Sequence, residues 1–156
     1  MKTIAALTAA LLAGTPLSGA EPTASRQLPA FDHVAINVAD QQRSVDFYSG
    51  AFGLKEIAAP FPSGGPRWMA LAGGIALHLQ SLPEKPAPPP RAVHFAISVA
   101  DLAPVIAYLR GHRIVWTDAQ GRPGKVQAIR TDGVRQLYVQ DPDGYWIEVN
   151  DKLKRD

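Results

Sequence analysis

Four side chains able to bind a metal ion stand at related positions along the chain: His33, His78, His94 and Glu148. The chain has no cysteine, which excludes disulfides, thiolate catalysis, Cys-ligated zinc and iron–sulfur clusters. A metal could therefore be held only by His, Asp or Glu side chains. Three imidazoles and one carboxylate suit zinc, nickel, cobalt, manganese or ferrous iron, so the sequence predicts one divalent metal ion and leaves its identity open.

The positions of these residues follow an internal repeat. Segment 33–40, His-Val-Ala-Ile-Asn-Val-Ala-Asp, is matched 61 residues later by segment 94–101, His-Phe-Ala-Ile-Ser-Val-Ala-Asp, with six of eight positions identical. A second pair of segments, 74–80 and 144–150, opens on glycine in both copies and carries a candidate ligand at its fifth position. Each half of the chain therefore contributes two candidate ligands.

The repeat also predicts the elements that would position the ligands. Each half begins as an alternating, half-buried strand and then meets an aspartate suited to a helix N-cap. The apolar spacing that follows predicts helices over 41–52 and 102–110, and the glycines Gly53 and Gly111 stand just after them. The second segment of each repeat adds about three strands. The predicted fold class is α+β, built from two βαβββ modules.

The length of 156 residues allows one well-buried domain and is too short for two ordinary ones. We expect a single domain over 31–151. It would consist of module one at 31–82, a stiff Pro-rich linker at 83–90 and module two at 91–151.

Residues 1–20 have the pattern of a secretory signal peptide, with Lys2, a short apolar run and small residues before Ala20. We expect cleavage after Ala20, a flexible lead-in at 21–30, and a periplasmic or secreted mature protein. The apolar run is shorter than the roughly 20 residues of a membrane-spanning helix, so no membrane attachment is expected after cleavage. Removal of Lys2 leaves 15 basic and 14 acidic side chains, and without a basic stripe we expect no nucleic-acid partner.

Gene duplication alone would explain the repeated apolar residues. A single histidine in a strand is also more often a hydrogen-bonded structural residue than a ligand. Duplication accounts poorly, however, for four ligand-capable side chains at equivalent positions, because buried His and Glu are costly unless something satisfies them. The remaining histidine, His112, has no partner in the repeat and is interpreted as a surface residue.

The sequence resembles the vicinal oxygen chelate superfamily, which includes glyoxalase I, methylmalonyl-CoA epimerase, extradiol dioxygenases, and the fosfomycin and bleomycin resistance proteins. The similarity is carried by segments 31–40, 44–54 and 133–148, and most specifically by the Asp-Pro-Asp-Gly turn at 141–144. Together these segments span nearly all of 31–151. The resemblance implies paired βαβββ modules that enclose a cupped mixed β-sheet.

In such proteins the metal ligands lie on the first and last strands of each module, which implies His33 and His78 from module one and His94 and Glu148 from module two. The resemblance further implies a lyase or isomerase that binds neighbouring oxygens of a small-molecule substrate, with Glu148 as the base. Glyoxalase I-like enzymes carry Glu, and epimerases Gln, at the position of His78. Whether His78 is a ligand or a neighbour of the ligands is therefore open.

Two other functions stay open. His33, His94 and Glu148 match the two-His-one-carboxylate set with which extradiol dioxygenases hold ferrous iron. The third hypothesis is a non-catalytic protein that binds a small molecule, as bleomycin resistance proteins do. We expect a homodimer, and the metal site could form within one chain or between two.

Two further sets of residues are candidates for contact with a substrate, although each could equally be core or solvated surface. The segment 117–135, rich in glycine and charge, is also expected to cover part of the site. The possible anion-binding residues are Arg67, Arg130 and Arg135, and the possible pocket walls are Trp68, Met69, Phe95, Tyr138 and Trp146.

Overall fold

The alternating segment at the start of each repeat forms the first strand of a four-stranded sheet. In the computed structural model of the chain, residues 28–61, 64–82, 87 and 89–154 are described. The predicted signal peptide, most of the lead-in and most of the Pro-rich linker lie outside these residues. Among the helices of the described part, none is long and apolar enough to cross a membrane.

Both modules follow the order strand, helix and three strands. Module one comprises β1 (His33–Val38), α1 (Gln41–Phe52), β2 (Lys55–Ile57), β3 (Arg67–Ala70), a 3-10 turn (Ala72–Gly74) and β4 (Ala76–Ser81). Module two comprises β5 (Phe95–Ser98), α2 (Leu102–Gly111), β6 (Trp116–Thr117), β7 (Gln136–Gln140), β8 (Trp146–Asn150) and a 3-10 turn (Lys152–Lys154).

The two sheets have the same topology. Their strand orders are β1-β4-β3-β2 and β5-β8-β7-β6. In each sheet the first and last strands of the module pair in parallel, while the neighbouring strands pair antiparallel. This arrangement confirms the predicted α+β fold of two βαβββ modules. It places β1 beside β4, which carry His33 and His78, and it places β5, which directly follows His94, beside β8, which carries Glu148.

The helices begin where the sequence predicts. Asp40 accepts hydrogen bonds from the backbone N–H groups of Gln42 and Arg43, and Asp101 accepts one from that of Ala103, so both aspartates are N-caps. Helix α1 ends at Gly53, whose φ of 69° is the left-handed conformation that glycine adopts without strain.

The end of α2 differs from the prediction. The helix includes Gly111, and the residue with positive φ is Arg113, at 58°. The backbone N–H of His112 still donates to the carbonyl of Tyr108, as does a helical residue, and this bond carries the last turn past the glycine. His112 is exposed, as predicted, and its Nδ1 lies 2.9 Å from the same carbonyl oxygen.

One apolar core joins the two modules. Phe47 of α1 lies edge-on to Tyr108 of α2, with 6.4 Å between ring centroids, so the two helices pack directly on each other. Burial of each large apolar side chain contributes about 1.5–3 kcal/mol. The fully buried members of the core include Tyr48, Met69, Leu77, Leu79, Leu109, Leu137, Ile147 and Val149.

The Asp-Pro-Asp-Gly turn between β7 and β8 attaches module two to the start of α1. The carboxylate of Asp143 accepts hydrogen bonds from the backbone N–H of Ala39 and the Nη2 of Arg43, both at 3.1 Å, and from the Oγ of Ser44 at 3.2 Å. The Tyr48 hydroxyl donates to Asp141 Oδ2 at 2.8 Å. Burial raises the pKa of Asp141 and, together with the charge of Asp141, raises that of Tyr48.

Candidate metal centre

The register of the strands places the candidate ligands on the sheet faces opposite the core. In β4, Leu77 and Leu79 are fully buried in the core, and His78 between them points to the other face because side chains alternate along a strand. His78 pairs with Ala35 of β1, which lies two residues after His33. His33 and His78 therefore share one face. The same alternation separates Glu148 from Ile147 and Val149 in β8.

The candidate ligand pair of module one, His33 and His78, is part of a stack of rings. The imidazoles of His33 and His78 are nearly parallel, with centroids 4.3 Å apart, and the indole of Trp68 covers the other side of His78 at 4.0 Å. Nδ1 of His33 lies 2.6 Å from a carboxylate oxygen of Asp32. Burial lowers the pKa of His78, and the charge of His33 lowers it further. His78 is therefore held in the neutral form that can ligate a metal.

The candidate ligand pair of module two is His94 and Glu148. His94 directly precedes β5, and its Nε2 lies 3.6 Å from Glu148 Oε2. Nδ1 of His94 lies 2.9 Å from the backbone carbonyl of Arg91. Because a carbonyl can only accept, Nδ1 carries the hydrogen, and Nε2 of the neutral ring keeps its lone pair. This is the tautomer arrangement that a metal-ligating histidine requires.

A chain of hydrogen bonds orients the carboxylate of Glu148. The Tyr138 hydroxyl donates to Oε2 at 2.8 Å, and Asn150 Nδ2 donates to Oε1 at 3.0 Å. Tyr138 in turn accepts from Gln136 Nε2, and Asn150 Oδ1 accepts from Ser98 Oγ. Burial, with the hydrogen bond to Glu148, raises the pKa of Tyr138 to about 12, so the phenol stays protonated and donates at neutral pH.

The structure brings the four candidate ligands together as two pairs. His33 contacts His78, and His94 faces Glu148, one pair in each module. Across the described ranges, no group of three or more His, Asp or Glu side chains lies close enough to hold one metal ion. The ligand set His33, His78, His94 and Glu148 therefore stays a prediction, and each module by itself offers half of it.

A sequence profile of the Glyoxalase/Bleomycin resistance protein/Dioxygenase superfamily matches residues 30–149. The chain belongs to this superfamily. The match confirms the resemblance that the repeat and the Asp-Pro-Asp-Gly turn indicated, and it covers both modules. Members of the superfamily commonly use a divalent metal ion.

Two relatives and one solved structure are similar to this chain at low sequence identity. It is 27% identical over 128 residues to "Glyoxylase I 4" of Arabidopsis thaliana, a match that covers 78% of this chain and 70% of that protein. It is 28% identical over 128 residues to the uncharacterized protein YaeR of Escherichia coli (strain K12), covering 75% and 92%. The solved structure of "Oxidase ChaP-H2" is similar with a TM-score of 0.66 at 21% identity, over 80% of this chain and 94% of that chain, which shows a shared fold.

The donors of both pairs fit a divalent ion of the kind that the superfamily uses. Imidazole nitrogen and carboxylate oxygen are ligands that zinc, nickel, cobalt, manganese and ferrous iron accept. The tautomer of His94 is set by a backbone carbonyl, and the orientation of Glu148 is set by two donors. Such supporting hydrogen bonds are typical of metal ligands.

The predicted substrate contacts divide by sheet face. Trp68, Tyr138 and Trp146 lie on the ligand-bearing faces, as their registers with His78, Glu148 and Gln140 require. Two predicted pocket walls face the core instead. They are Met69, which pairs with Leu77, and Phe95, which pairs with Ile147.

The three arginines considered for anion binding are each paired with a carboxylate. Their partners are Glu56 for Arg67, Asp132 for Arg130 and Asp151 for Arg135. Sequence reasoning missed Arg91 and Asn150. Asn150 could have been found, because it stands two residues after Glu148 and therefore on the same strand face. Arg91 precedes the strand, and nothing in its sequence context indicates where its side chain lies.

Proposed function

We propose that the protein is a divalent-metal-dependent enzyme of the lyase or isomerase type, acting on a small substrate that carries two neighbouring oxygens. The observation that carries the proposal is the His94–Glu148 pair. The histidine has a lone pair on Nε2 that is directed by a fixed tautomer, and the carboxylate is oriented by Tyr138 and Asn150. A histidine and a carboxylate that are held by further hydrogen bonds in this way are typical of metal sites.

In this proposal His33, His78, His94 and Glu148 hold the ion. A bound divalent cation would polarise the two substrate oxygens and stabilise negative charge that develops on them. The two pairs are not gathered within one chain, which supports a site that is completed by a second copy. His33 and His78 of one copy would then face His94 and Glu148 of the other, as a homodimer with two-fold symmetry allows.

Glu148 is the proposed base. Its carboxylate would accept a proton from the carbon next to a bound substrate oxygen and return it to the neighbouring position. Tyr138 and Asn150 each donate to one carboxylate oxygen, so they orient Glu148 while lone pairs remain for the transfer. Because Tyr138 stays protonated, it does not compete with Glu148 for the proton.

One observation favours a second candidate, a dioxygenase that uses ferrous iron. His78 is only 8% exposed and is sandwiched between the rings of His33 and Trp68. If His78 only supports His33 from this position, the ligand set is reduced to His33, His94 and Glu148. Two histidines and one carboxylate leave open positions for oxygen and a catecholate on iron.

Metal content tests the shared part of both candidates. We expect about one equivalent of divalent metal per chain in the purified protein, and loss of that metal in a His33→Ala/Glu148→Ala double variant. His112→Ala is the matched control, because it removes an exposed histidine outside the candidate site. If the wild type binds no metal after reconstitution, or if the double variant retains it, the proposed site is wrong.

Activity assays then separate the functions. Oxygen consumption with catechols supports the dioxygenase, and loss of a dicarbonyl–thiol hemithioacetal supports lyase chemistry. Tight binding of such compounds without product supports a sequestering protein and contradicts both enzymes.

We also propose export, so the protein for these assays is taken from the periplasmic fraction of an expressing cell. An intact mass that begins at Glu21 supports signal cleavage, and a mass that retains Met1 contradicts it.

A further inference from the structure

Arg91 is a cation beside the candidate ligands of module two. Its guanidinium lies over two aromatic rings on the ligand-bearing face, 5.8 Å from the centroid of Tyr138 and 5.6 Å from that of Trp146. Its backbone carbonyl is the group that sets the tautomer of His94. The same residue therefore orients a candidate ligand and places a positive charge next to it.

The hydrogen-bond partners of Arg91 are neutral, whereas several other arginines of this chain are paired with carboxylates. Its Nη1 donates to Thr117 Oγ1 at 3.4 Å and to the carbonyl of Asp118 at 3.2 Å, and its Nη2 donates to the carbonyl of Ala119 at 2.7 Å. No carboxylate in the described part of the chain forms an ion pair with it. Among the arginines that the structure describes, those that pair with a carboxylate are Arg43, Arg67, Arg122, Arg130 and Arg135.

The contacts of Arg91 fix its position without satisfying all of its donors. A guanidinium has five N–H donors, and these contacts use three of them. Arg91 lines a cavity of about 280 Å³ together with Ala92, His94, Ala119 and Tyr138. A water molecule occupies about 30 Å³ in the liquid, so the cavity has room for a small organic group. A fixed guanidinium in such a cavity is suited to a carboxylate, which it can bind through two parallel hydrogen bonds.

We propose that Arg91 binds a carboxylate of the substrate. The substrate of the proposed enzyme is then a small organic acid whose neighbouring oxygens would bind the ion held by His94 and Glu148 while its carboxylate reaches the guanidinium. The rings of Tyr138 and Trp146 would lie beneath the contact between the guanidinium and the carboxylate. The identity of this substrate class rests on the proposed function, whereas the carboxylate site at Arg91 does not require a metal.

The first test measures the binding of benzoate to the full mature chain after its metal has been removed. The tryptophan fluorescence of the protein reports the binding. We expect benzoate to bind at least about tenfold more tightly than the neutral benzamide, because a charge-assisted hydrogen bond is about twice as strong as a neutral one. Arg91→Gln should abolish this preference. Arg91→Lys should retain part of it, since it keeps the charge and loses the fork.

Arg110→Gln is the matched control, because it removes an exposed arginine of α2 that does not line this cavity. Circular dichroism and thermal unfolding establish that the Arg91 variants are folded, and Arg91→Lys keeps the test valid if Arg91→Gln is not. Equal affinity of the wild type for benzoate and benzamide would overturn the proposal. So would an unchanged preference in a folded Arg91→Gln, or an equal loss in Arg110→Gln.

A second measurement separates this inference from the proposed function. The metal-loaded protein is titrated with 3,4-dihydroxybenzoate and with 3,4-dihydroxybenzamide, which share their neighbouring oxygens and differ in charge. We expect the acid to bind about tenfold more tightly than the amide in the wild type and equally in Arg91→Gln. Equal binding of both by a wild type that does hold metal overturns the Arg91 site alone. If no metal binds while the benzoate preference persists, the proposed function fails and the Arg91 site stands.

Discussion

At the scale of single residues, the candidate site depends on neighbours as much as on ligands. His94 and Glu148 lie 3.6 Å apart, but their orientations are set by the carbonyl of Arg91 and by the side chains of Tyr138 and Asn150. A carboxylate that is free to rotate presents its lone pairs in many directions. Two donors, one on each oxygen, restrict Glu148 to one arrangement, which lowers the entropy that metal binding must overcome.

Tyr138→Phe tests this dependence. The substitution keeps the ring that packs against His94 and removes the hydroxyl, and with it the hydrogen bonds to Glu148 and from Gln136. We expect metal affinity, measured by competition with a chromogenic chelator, to fall about tenfold to a hundredfold. Tyr145→Phe is the control, because it removes a hydroxyl that accepts from the backbone N–H of Asn37 away from the ligand pair. Unchanged affinity in Tyr138→Phe would show that the hydroxyl has no supporting role.

At the scale of elements, the two helices hold the modules together. Tyr108 of α2 lies so close to Gly50 of α1 that a Cβ atom at Gly50 would lie inside the contact distance of Cε2 and 2.8 Å from Cζ. A side chain at position 50 would therefore displace the end of the Tyr108 ring, which favours glycine here although glycine weakens the helix interior. Helix α1 therefore contacts the rest of the protein through two buried aromatic side chains, Phe47 and Tyr48, and approaches Tyr108 at Gly50.

Gly50→Ala should lower the free energy of unfolding by about 1–3 kcal/mol, because the added methyl group forces the Tyr108 ring to move. Gly111→Ala is the matched control in α2. An added Cβ at Gly111 meets nothing within 4 Å, so this substitution should stabilise the protein by roughly 0.5–1 kcal/mol through helix propensity. Urea unfolding of both variants measures the difference. A stability of Gly50→Ala equal to that of Gly111→Ala would contradict the helix contact.

The junction between the modules is asymmetric although the modules repeat. The turn of module two carries Asp141 and Asp143, whose carboxylates accept hydrogen bonds from module one. The equivalent turn of module one, residues 71–75, reads Leu-Ala-Gly-Gly-Ile and has no carboxylate. Its leucine and isoleucine instead line an apolar cavity beside β5. Hydrogen bonds therefore fix the junction at the turn of module two, whereas the turn of module one lies beside an apolar cavity.

At the scale of the whole molecule, the separation of the ligand pairs leads to a prediction about assembly. If the site forms between two copies, a His33→Ala/His78→Ala variant and a His94→Ala/Glu148→Gln variant each lack metal, but a mixed dimer contains one complete site. An equal mixture that is unfolded and refolded together should recover about a quarter of the wild-type metal, because half of the dimers are mixed and each has one intact site of two. Sedimentation analysis checks that dimers form.

Each variant refolded alone is the control for that experiment, and neither should bind metal. Recovery of metal only in the mixture supports a site shared between chains. A mixture that binds no metal while both variants form dimers would instead place the complete site within one chain.

The amino-acid pattern is sufficient to predict the modules, and it proposes a set of candidate ligands. Alternation from His33 predicts β1, the aspartate at position 40 predicts the start of α1, and Gly53 predicts its end, because these signals act over a few residues. The ligand candidates follow from equivalent positions in a repeat. Gly111 shows the limit of such local signals, since a backbone hydrogen bond carries α2 one residue beyond the predicted end.

The tertiary structure decided which side chains meet across strands and across segments that are distant in sequence. Strand register places Tyr138 opposite Glu148, and it turns Met69 into the core, which residue type alone does not reveal. The position of Arg91 depends on three contacts with the segment 117–119, which is distant in sequence. The sequence by itself therefore determined the fold class and the candidate ligands, because periodicity and repetition are local properties. The supporting hydrogen bonds, the guanidinium beside His94 and the division of the ligands into two pairs depend on how the chain packs in three dimensions.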